Sequence, residues 1–270
     1  MTEANERIVS LHAGYEANGE FVEGYVARPV DGKPRPGVVL LSGMSGLTWT
    51  QREITRVYAR AGFVALSPDF MESQPQGRTA ALLAKNSLAV NRAADHIIAG
   101  SDFLRSLPWV GGDGKVGIMG FCLGGGLALL ALARSDKFQA GVIYHHSLFP
   151  DGRELEGIQS RLLCHVGTED HSTPRDEVEA FTKTLDRYEK EYELCWYDGM
   201  GHSFAQITPD ADVPPAQRAA ATLSEQRTFE FLQRELGRDA RSVGSNANQE
   251  AVEMRGSEPA ESQRNADDRA

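Results

Sequence analysis

A cysteine set among closely spaced glycines has the clearest potential for chemistry in this sequence. Residues 115–133 read KVGIMGFCLGGGLALLALA, so an apolar run ends at Gly120, Cys122 follows, and Gly124 precedes an Ala- and Leu-rich helical pattern. This layout is typical of a nucleophile elbow, a sharp strand-to-helix turn, with cysteine where serine usually stands. Glycines flank such a nucleophile because side chains there would collide with nearby backbone. The helix N-terminus favours a thiolate, so the pattern predicts a nucleophilic Cys122.

A glycine-rich turn with a cysteine also has other interpretations. Such turns bind phosphates, but neither G-x-G-x-x-G nor G-x-x-x-x-G-K-[ST] occurs in this stretch. A cysteine beside apolar residues is often an inert buried thiol, and a low thiolate pKa would equally suit a redox sensor. The other two cysteines, Cys164 and Cys195, lie in apolar strand patterns and are expected to be buried.

An acid and a base follow Cys122 in the chain order that parallel-sheet hydrolases use, which is nucleophile, acid, histidine. Asp170 lies in a polar loop after one predicted strand, and His202 lies in the loop after the next. Asp170 is the candidate acid and His202 the candidate base, although Asp170 could instead only cap the turn before Pro174. Two other carboxylates lie close in sequence, Glu169 and Asp198.

The chain has seven histidines, and most are predicted to have structural roles. His12 and His96 precede the elbow, and His165 falls within an apolar strand pattern. His145 and His146 follow the strand after the elbow helix, so they could line the site or, with further ligands, bind a metal. No set of ligands with workable metal spacing is visible, so we expect no metal. We therefore keep the other alternative and assign His145 to the substrate site.

The elements around these residues predict an α/β protein with a mostly parallel sheet and helices on both faces. Residues 8–15 and 21–27 alternate polar and apolar around Asn18-Gly19, which predicts an antiparallel hairpin at the sheet edge. Thr50 and Glu53 could form a capping box for a helix that Gly62 stops. Further strands are predicted at residues 37–41, 63–66, 140–144, 161–167 and 192–197.

Composition limits the domain organisation and the partners. The 270 residues are 41% hydrophobic, which suits one domain over residues 1–237, whereas residues 238–270 are polar and are predicted to be a disordered tail. The net charge of −10 argues against nucleic acid and acidic membrane surfaces as partners. We read no signal peptide and no membrane span, and three irregularly spaced cysteines fit a reducing cytosol, so a cytoplasmic protein is expected.

Three motifs together resemble the dienelactone hydrolases, also called carboxymethylenebutenolidases. They are GIMGFCLGG at 117–125, GTEDH at 167–171 and GHSFA at 201–205, and the similarity extends over about residues 34–236. The resemblance implies an α/β-hydrolase fold, a triad of Cys122, His202 and Asp170, and hydrolysis of small-molecule esters or lactones without a cofactor. The backbone N–H groups of Leu123 and Met44 are the expected oxyanion hole.

The sequence departs from the family pattern at two positions. The family glutamate after the first core strand falls on Gly43 or, with a one-residue shift, on Ser42, and the arginine after the catalytic histidine falls on Gln206. Gln206 donates hydrogen bonds but carries no charge, so we expect uncharged substrates to be turned over at least as well as anionic ones. A second family arginine falls loosely on Arg78, with Lys85 and Arg92 as alternatives.

Other function classes stay open at this point. The missing arginine favours a broader carboxylesterase or thioesterase, and the missing glutamate leaves room for a non-catalytic small-ligand binding protein on the same scaffold. The chain order of Cys122, Asp170 and His202 favours the enzyme.

Overall fold

The computed structural model describes residues 7–71, 87–111, 113–146, 150 and 152–237. Arg78, Lys85 and the predicted tail lie outside the described residues, so the domain boundary after residue 237 stays a prediction. The helices within the described part of the chain are α1 (Trp49–Arg60), α2 (Ser87–Ser106), α3 (Leu123–Arg134), α4 (Arg175–Arg187) and α5 (Pro215–Gly237). Of these helices, none combines the length and the apolar character needed to cross a bilayer.

Eight strands form one sheet in the order β1-β2-β4-β3-β5-β6-β7-β8. The strands are β1 (Ile8–Ala17), β2 (Glu20–Pro29), β3 (Gly37–Leu41), β4 (Val64–Pro68), β5 (Val116–Phe121), β6 (Ala140–Tyr144), β7 (Arg161–Gly167) and β8 (Tyr192–Tyr197). Neighbouring strands from β4 to β8 pair in parallel, whereas β2 pairs antiparallel with both β1 and β4. The predicted mostly parallel sheet with an N-terminal antiparallel hairpin is therefore confirmed.

The hairpin turn follows from its sequence. Asn18 and Gly19 have φ values of 51° and 79°, the left-handed conformation that a two-residue turn of type I′ requires at both positions. Asparagine and glycine tolerate this conformation best, so the turn fixes the register of β1 against β2.

Helices cover both faces of the sheet, and each face has its own apolar core. Alternate residues of β3 show the division, because Val39 belongs to the core that includes residues of α2, α3 and α4, while Val38 belongs to the core that includes residues of α1 and α5. Both side chains are fully buried. A strand buried on both faces must be apolar at every position, which explains the continuous run in residues 37–41.

Two local predictions are wrong. Thr48, not Thr50, caps α1, because its Oγ1 accepts a hydrogen bond from the Gln51 N–H at 3.4 Å, and Glu53 pairs with Arg56 instead of closing a capping box. Cys195 is half-buried rather than buried, because it lies on β8 at the edge of the sheet. Cys164, on the interior strand β7, is buried as expected.

The sheet topology brings the candidate residues to one edge. The carboxyl ends of parallel strands meet at the same edge, where the ligands of open α/β sheets bind. Gly43 follows β3 there, Cys122 follows β5, and His145 follows β6. Asp170 and His202 follow β7 and β8.

Candidate active site

Cys122 lies in a strained turn between β5 and α3. Its φ of 53° and ψ of −118° are unusual for a residue with a side chain, and such strain concentrates at functional sites. A Cβ at Gly120 would lie 2.1 Å from the Gly124 carbonyl oxygen, and one at Gly124 would lie 2.3 Å from the Ser42 carbonyl oxygen. Only glycine permits these backbone approaches, which is the steric reason for the glycines of the motif.

The turn places Cys122 at the N-terminus of α3. Leu123 is the first residue of the helix, where backbone N–H groups have no partner within the helix and the helix dipole is positive. Cys122 is 9% exposed, so most of the residue is enclosed. This environment favours a thiolate and offers N–H groups to a developing negative charge.

The loop after β3 lies directly against Cys122. A Cβ built on Gly43 would lie 3.4 Å from the Cβ of Cys122 and 3.7 Å from Oε1 of Gln206. Position 43 therefore lies next to the cysteine. Met44 follows Gly43 in the same loop, and its side chain is exposed. A glutamate at position 43 would fall between the cysteine and Gln206.

His202 and Asp170 form a close pair. The Nδ1 atom of His202 lies 2.8 Å and 3.0 Å from the two carboxylate oxygens of Asp170. Asp170 is buried, and its Oδ1 also accepts hydrogen bonds from the N–H groups of Ser172 at 2.8 Å and Thr173 at 3.1 Å. These bonds orient the carboxylate toward the imidazole.

The two alternative carboxylates are placed differently. Glu169 is exposed, and Asp198 is exposed and accepts a hydrogen bond from the Thr168 hydroxyl at 3.4 Å. The carboxylate bonded to His202 in the structure is that of Asp170.

The pair changes the acidity of both of its members. Burial lowers the pKa of His202, but hydrogen bonds to Asp170 and to Cys122 outweigh it and raise the pKa to about 9. Burial raises the pKa of Asp170, but its hydrogen bond from His202 and the bonds from Ser172 and Thr173 hold the pKa below its ordinary value. Because Nδ1 is bonded to Asp170, Nε2 is the atom available to the thiol.

His145 contacts His202 from the end of β6. The two ring centroids are 4.5 Å apart with an interplanar angle of 66°. Burial, and then the charge of His202, lowers the pKa of His145 to about 3, so the ring is neutral at neutral pH. The neighbouring His146 ring packs on Phe181 instead, at 4.8 Å between centroids.

The remaining candidates lie apart from this cluster or form other contacts. His165 is buried and bonded to the hydroxyls of Tyr197 and Thr228 at 2.8 Å and 3.1 Å, which confirms its structural role. Arg92 forms an ion pair with Glu20. Within the described residues, no group of three or more His, Cys, Asp or Glu side chains could hold a metal ion.

Sequence reasoning missed the main-chain groups that hold the site together. The Cys122 N–H donates to the Tyr144 carbonyl at 3.0 Å, and the Thr173 hydroxyl donates to the His146 carbonyl at 3.1 Å. Residue types carry no signal for the main-chain partner in either contact, because every residue has the same main-chain carbonyl.

The mostly parallel sheet is flanked by helices, a strained turn holds the cysteine, and an acid and a histidine follow later strands. Together these features define an α/β-hydrolase fold. A solved structure shares that fold with a TM-score of 0.72 and 23% identity, namely a dienelactone hydrolase-like promiscuous phosphotriesterase from metagenomic libraries. The alignment covers 85% of this chain and 99% of the other. The predicted fold class is thus confirmed.

The chain belongs to the dienelactone hydrolase family, whose sequence model matches residues 22–236. It is 31% identical over 231 residues to the Bradyrhizobium protein named "Probable 2-oxo-3-(5-oxofuran-2-ylidene)propanoate lactonase", covering 80% of this chain and 92% of that protein. It is 30% identical over 216 residues to the carboxymethylenebutenolidase of Rhodococcus opacus, covering 74% of this chain and 81% of that protein. The predicted family and the predicted class of enzyme, a hydrolase of ester or lactone bonds, are confirmed.

Proposed function

We propose that this protein hydrolyses small-molecule esters or lactones with Cys122 as nucleophile, His202 as base and Asp170 as the acid that orients the imidazole. The single observation that carries the proposal is the position of His202, which is bonded through Nδ1 to Asp170 at 2.8 Å and whose pKa is raised by Asp170 and by Cys122. A nucleophile, a base and a group that orients the base are the three parts that covalent catalysis requires.

Acylation begins from the cysteine and the histidine. His202 holds the proton of the Cys122 thiol, and the thiolate sulfur attacks the carbonyl carbon of the substrate. Negative charge develops on the carbonyl oxygen, where the N–H groups of Leu123 and Met44 stabilise it. The carbon–oxygen bond then breaks, His202 protonates the leaving alkoxide, and a thioester to Cys122 remains.

Deacylation returns the enzyme to its starting state. A water molecule gives a proton to His202 and attacks the thioester carbonyl. The carbon–sulfur bond breaks, the carboxylic acid leaves, and the Cys122 thiolate again faces the protonated imidazole. Asp170 stabilises the imidazolium in both steps without accepting the proton itself.

The electrostatics support a charged resting pair. With a pKa of about 9, His202 is protonated at neutral pH, and the α3 N-terminus favours the thiolate beside it. An enzyme in this state needs no carboxylate on the substrate to trigger ionisation of the thiol.

The leaving group sets the type of bond that is cleaved. A thiolate leaves a tetrahedral adduct more readily than an amine anion does, so the adduct of an amide collapses back to substrate. We expect esters and lactones to be cleaved and amides to resist.

Gln206 supports a preference for uncharged substrates. Its amide lies beside Gly43, which in turn lies beside Cys122, and it can hydrogen bond to a substrate but cannot neutralise a carboxylate. This observation favours a second candidate, a carboxylesterase or thioesterase broader than the relatives, whose names specify a propanoate and a carboxymethylene compound.

The proposal is tested with a panel of p-nitrophenyl esters, thioesters and lactones. We expect hydrolysis by the wild type, almost none by Cys122→Ala, and wild-type rates for the matched control Cys164→Ala. Mass spectrometry should detect an added acyl group on Cys122 during turnover. Full activity of Cys122→Ala would exclude the mechanism, and binding of these compounds without turnover would favour the ligand-binding alternative.

A further inference from the structure

His145 is in an unfavourable state for a histidine. Its φ is 33°, in the left-handed region that residues with a Cβ rarely occupy, although its N–H donates to the His165 carbonyl at 3.0 Å. Its side chain is fully buried, and neither ring nitrogen has a hydrogen-bond partner among the described residues. Backbone strain and unpaired buried polar atoms each cost stability, so their coincidence at one residue beside the candidate site calls for a functional reason.

The position of the ring indicates what that reason is. The His145 ring packs on His202 at 4.5 Å between centroids, in an edge-to-face arrangement. Among the described residues, the titratable groups that face His202 come from three places. Cys122 follows β5, His145 follows β6, and Asp170 follows β7, whereas His146 faces His145 and Asp170. His145 is the one whose ring lies against the imidazole itself.

We propose that His145 is a positioning residue whose neutral ring holds the imidazole of His202 with Nε2 toward Cys122 and stabilises its protonated form. The inference rests on the proposed function, in which Cys122 is the nucleophile. By stabilising the imidazolium, His145 also stabilises the thiolate that shares its proton.

The physical basis is the interaction of a cation with a neutral aromatic ring in a desolvated place. The electron-rich face of an aromatic ring attracts a positive charge, and the attraction is strongest where water is excluded. Among the described residues, neither ring nitrogen of His145 has a hydrogen-bond partner, and the ring contacts His202 at 4.5 Å between centroids. A like charge on His145 would reverse the effect, but its burial keeps the ring neutral.

The test is the rate of iodoacetamide labelling of Cys122 as a function of pH, followed by mass spectrometry in the full chain. Loss of the ring in His145→Leu should move the midpoint of the rate profile upward by about one pH unit. Labelling below the midpoint should then slow by about tenfold. His145→Phe keeps an aromatic face and should stay closer to the wild type. The matched control His146→Phe, whose ring packs on Phe181, should leave the midpoint unchanged.

A second variant separates loss of the ring from misfolding of the protein. His145→Gly removes the ring while suiting the positive φ, so it should fold, as circular dichroism will show, and its midpoint should shift like that of the leucine variant. In the wild type, ¹⁵N chemical shifts of the histidine rings at pH 7 should show a neutral His145 and a protonated His202.

The outcomes separate this inference from the function on which it rests. A wild-type midpoint in folded His145→Leu and His145→Gly, or a protonated His145 in the wild type, would overturn the role of His145 and leave the function intact. If wild-type Cys122 reacts no faster than Cys195, the proposed function itself is wrong.

Discussion

The carbonyl oxygen of Tyr144 lies 3.0 Å from the amide nitrogen of Cys122, so the end of β6 supports the turn at the end of β5. The next two residues contact the rest of the candidate site. The His145 ring packs on His202, and the His146 carbonyl accepts a hydrogen bond from Thr173, whose N–H binds Asp170. One three-residue segment thus links all three candidate catalytic groups, and a shift of this segment would disturb each of them.

We expect Cys122 to react with iodoacetamide much faster than Cys164 or Cys195 at pH 7. Burial raises the pKa of Cys164 to about 12 and also raises the pKa of Cys195, whereas Cys122 lies at a helix N-terminus beside His202. Peptide mapping after brief labelling measures the three rates separately. Equal labelling of all three cysteines would be evidence against a catalytic thiol.

Asp170→Asn should lower kcat by orders of magnitude. An amide at this position no longer favours the imidazole tautomer that accepts the thiol proton and no longer stabilises the imidazolium. Steady-state kinetics on an ester substrate measures the loss. Glu169→Gln and Asp198→Asn are the matched controls, because both carboxylates are exposed and should be dispensable. If either control lost most of its kcat while Asp170→Asn kept wild-type kcat, the assignment of Asp170 as the acid would be wrong.

The pH dependence of kcat/KM should depend on the leaving group. The pKa of about 9 keeps His202 protonated up to that pH, and a protonated imidazole is needed to protonate a poor leaving group. For an alkyl ester, kcat/KM should therefore fall as the pH rises through about 9. A p-nitrophenyl ester, whose leaving group needs no proton, is the internal comparison and should show a weaker fall. An equal fall for both substrates would exclude this role of His202.

The wild type should turn over a neutral ester or lactone at least as well as a matched anionic one, because Gln206 carries no charge. The measurement is kcat/KM for the two compounds. Gln206→Arg should shift the ratio toward the anion by roughly tenfold, about 1.4 kcal/mol in the barrier, because the new charge lies beside Gly43 and Cys122. A tenfold preference of the wild type for the anion would contradict the prediction and direct attention to Arg78 or Lys85.

Gly120→Ala should destabilise the fold by about 1 to 3 kcal/mol or more, because the new Cβ would lie 2.1 Å from the Gly124 carbonyl oxygen. Thermal unfolding measures the effect. Gly237→Ala at the end of α5 is the control, since a Cβ there meets nothing within 4 Å. Similar melting temperatures for Gly120→Ala and the wild type would mean that the turn tolerates a side chain.

The sequence by itself determined the features that depend on near neighbours in the chain. Asn18-Gly19 determined the hairpin turn, the glycines around Cys122 determined a strand-to-helix turn, and continuous apolar runs determined the buried parallel strands. These features follow from local sterics and from burial on both faces of a strand, which a short stretch of residues already encodes.

Only the tertiary structure decided which residues meet at the strand ends. It placed Gly43 against Cys122, and Asp170 rather than Glu169 on His202. A one-residue difference in a loop leaves the local pattern unchanged but turns the side chain to another direction. The strand order also placed β6 between β5 and β7, which brought His145 to His202 and left Cys195 on an edge strand. Such contacts between residues distant in sequence are set by how the strands pack side by side, which no single segment encodes.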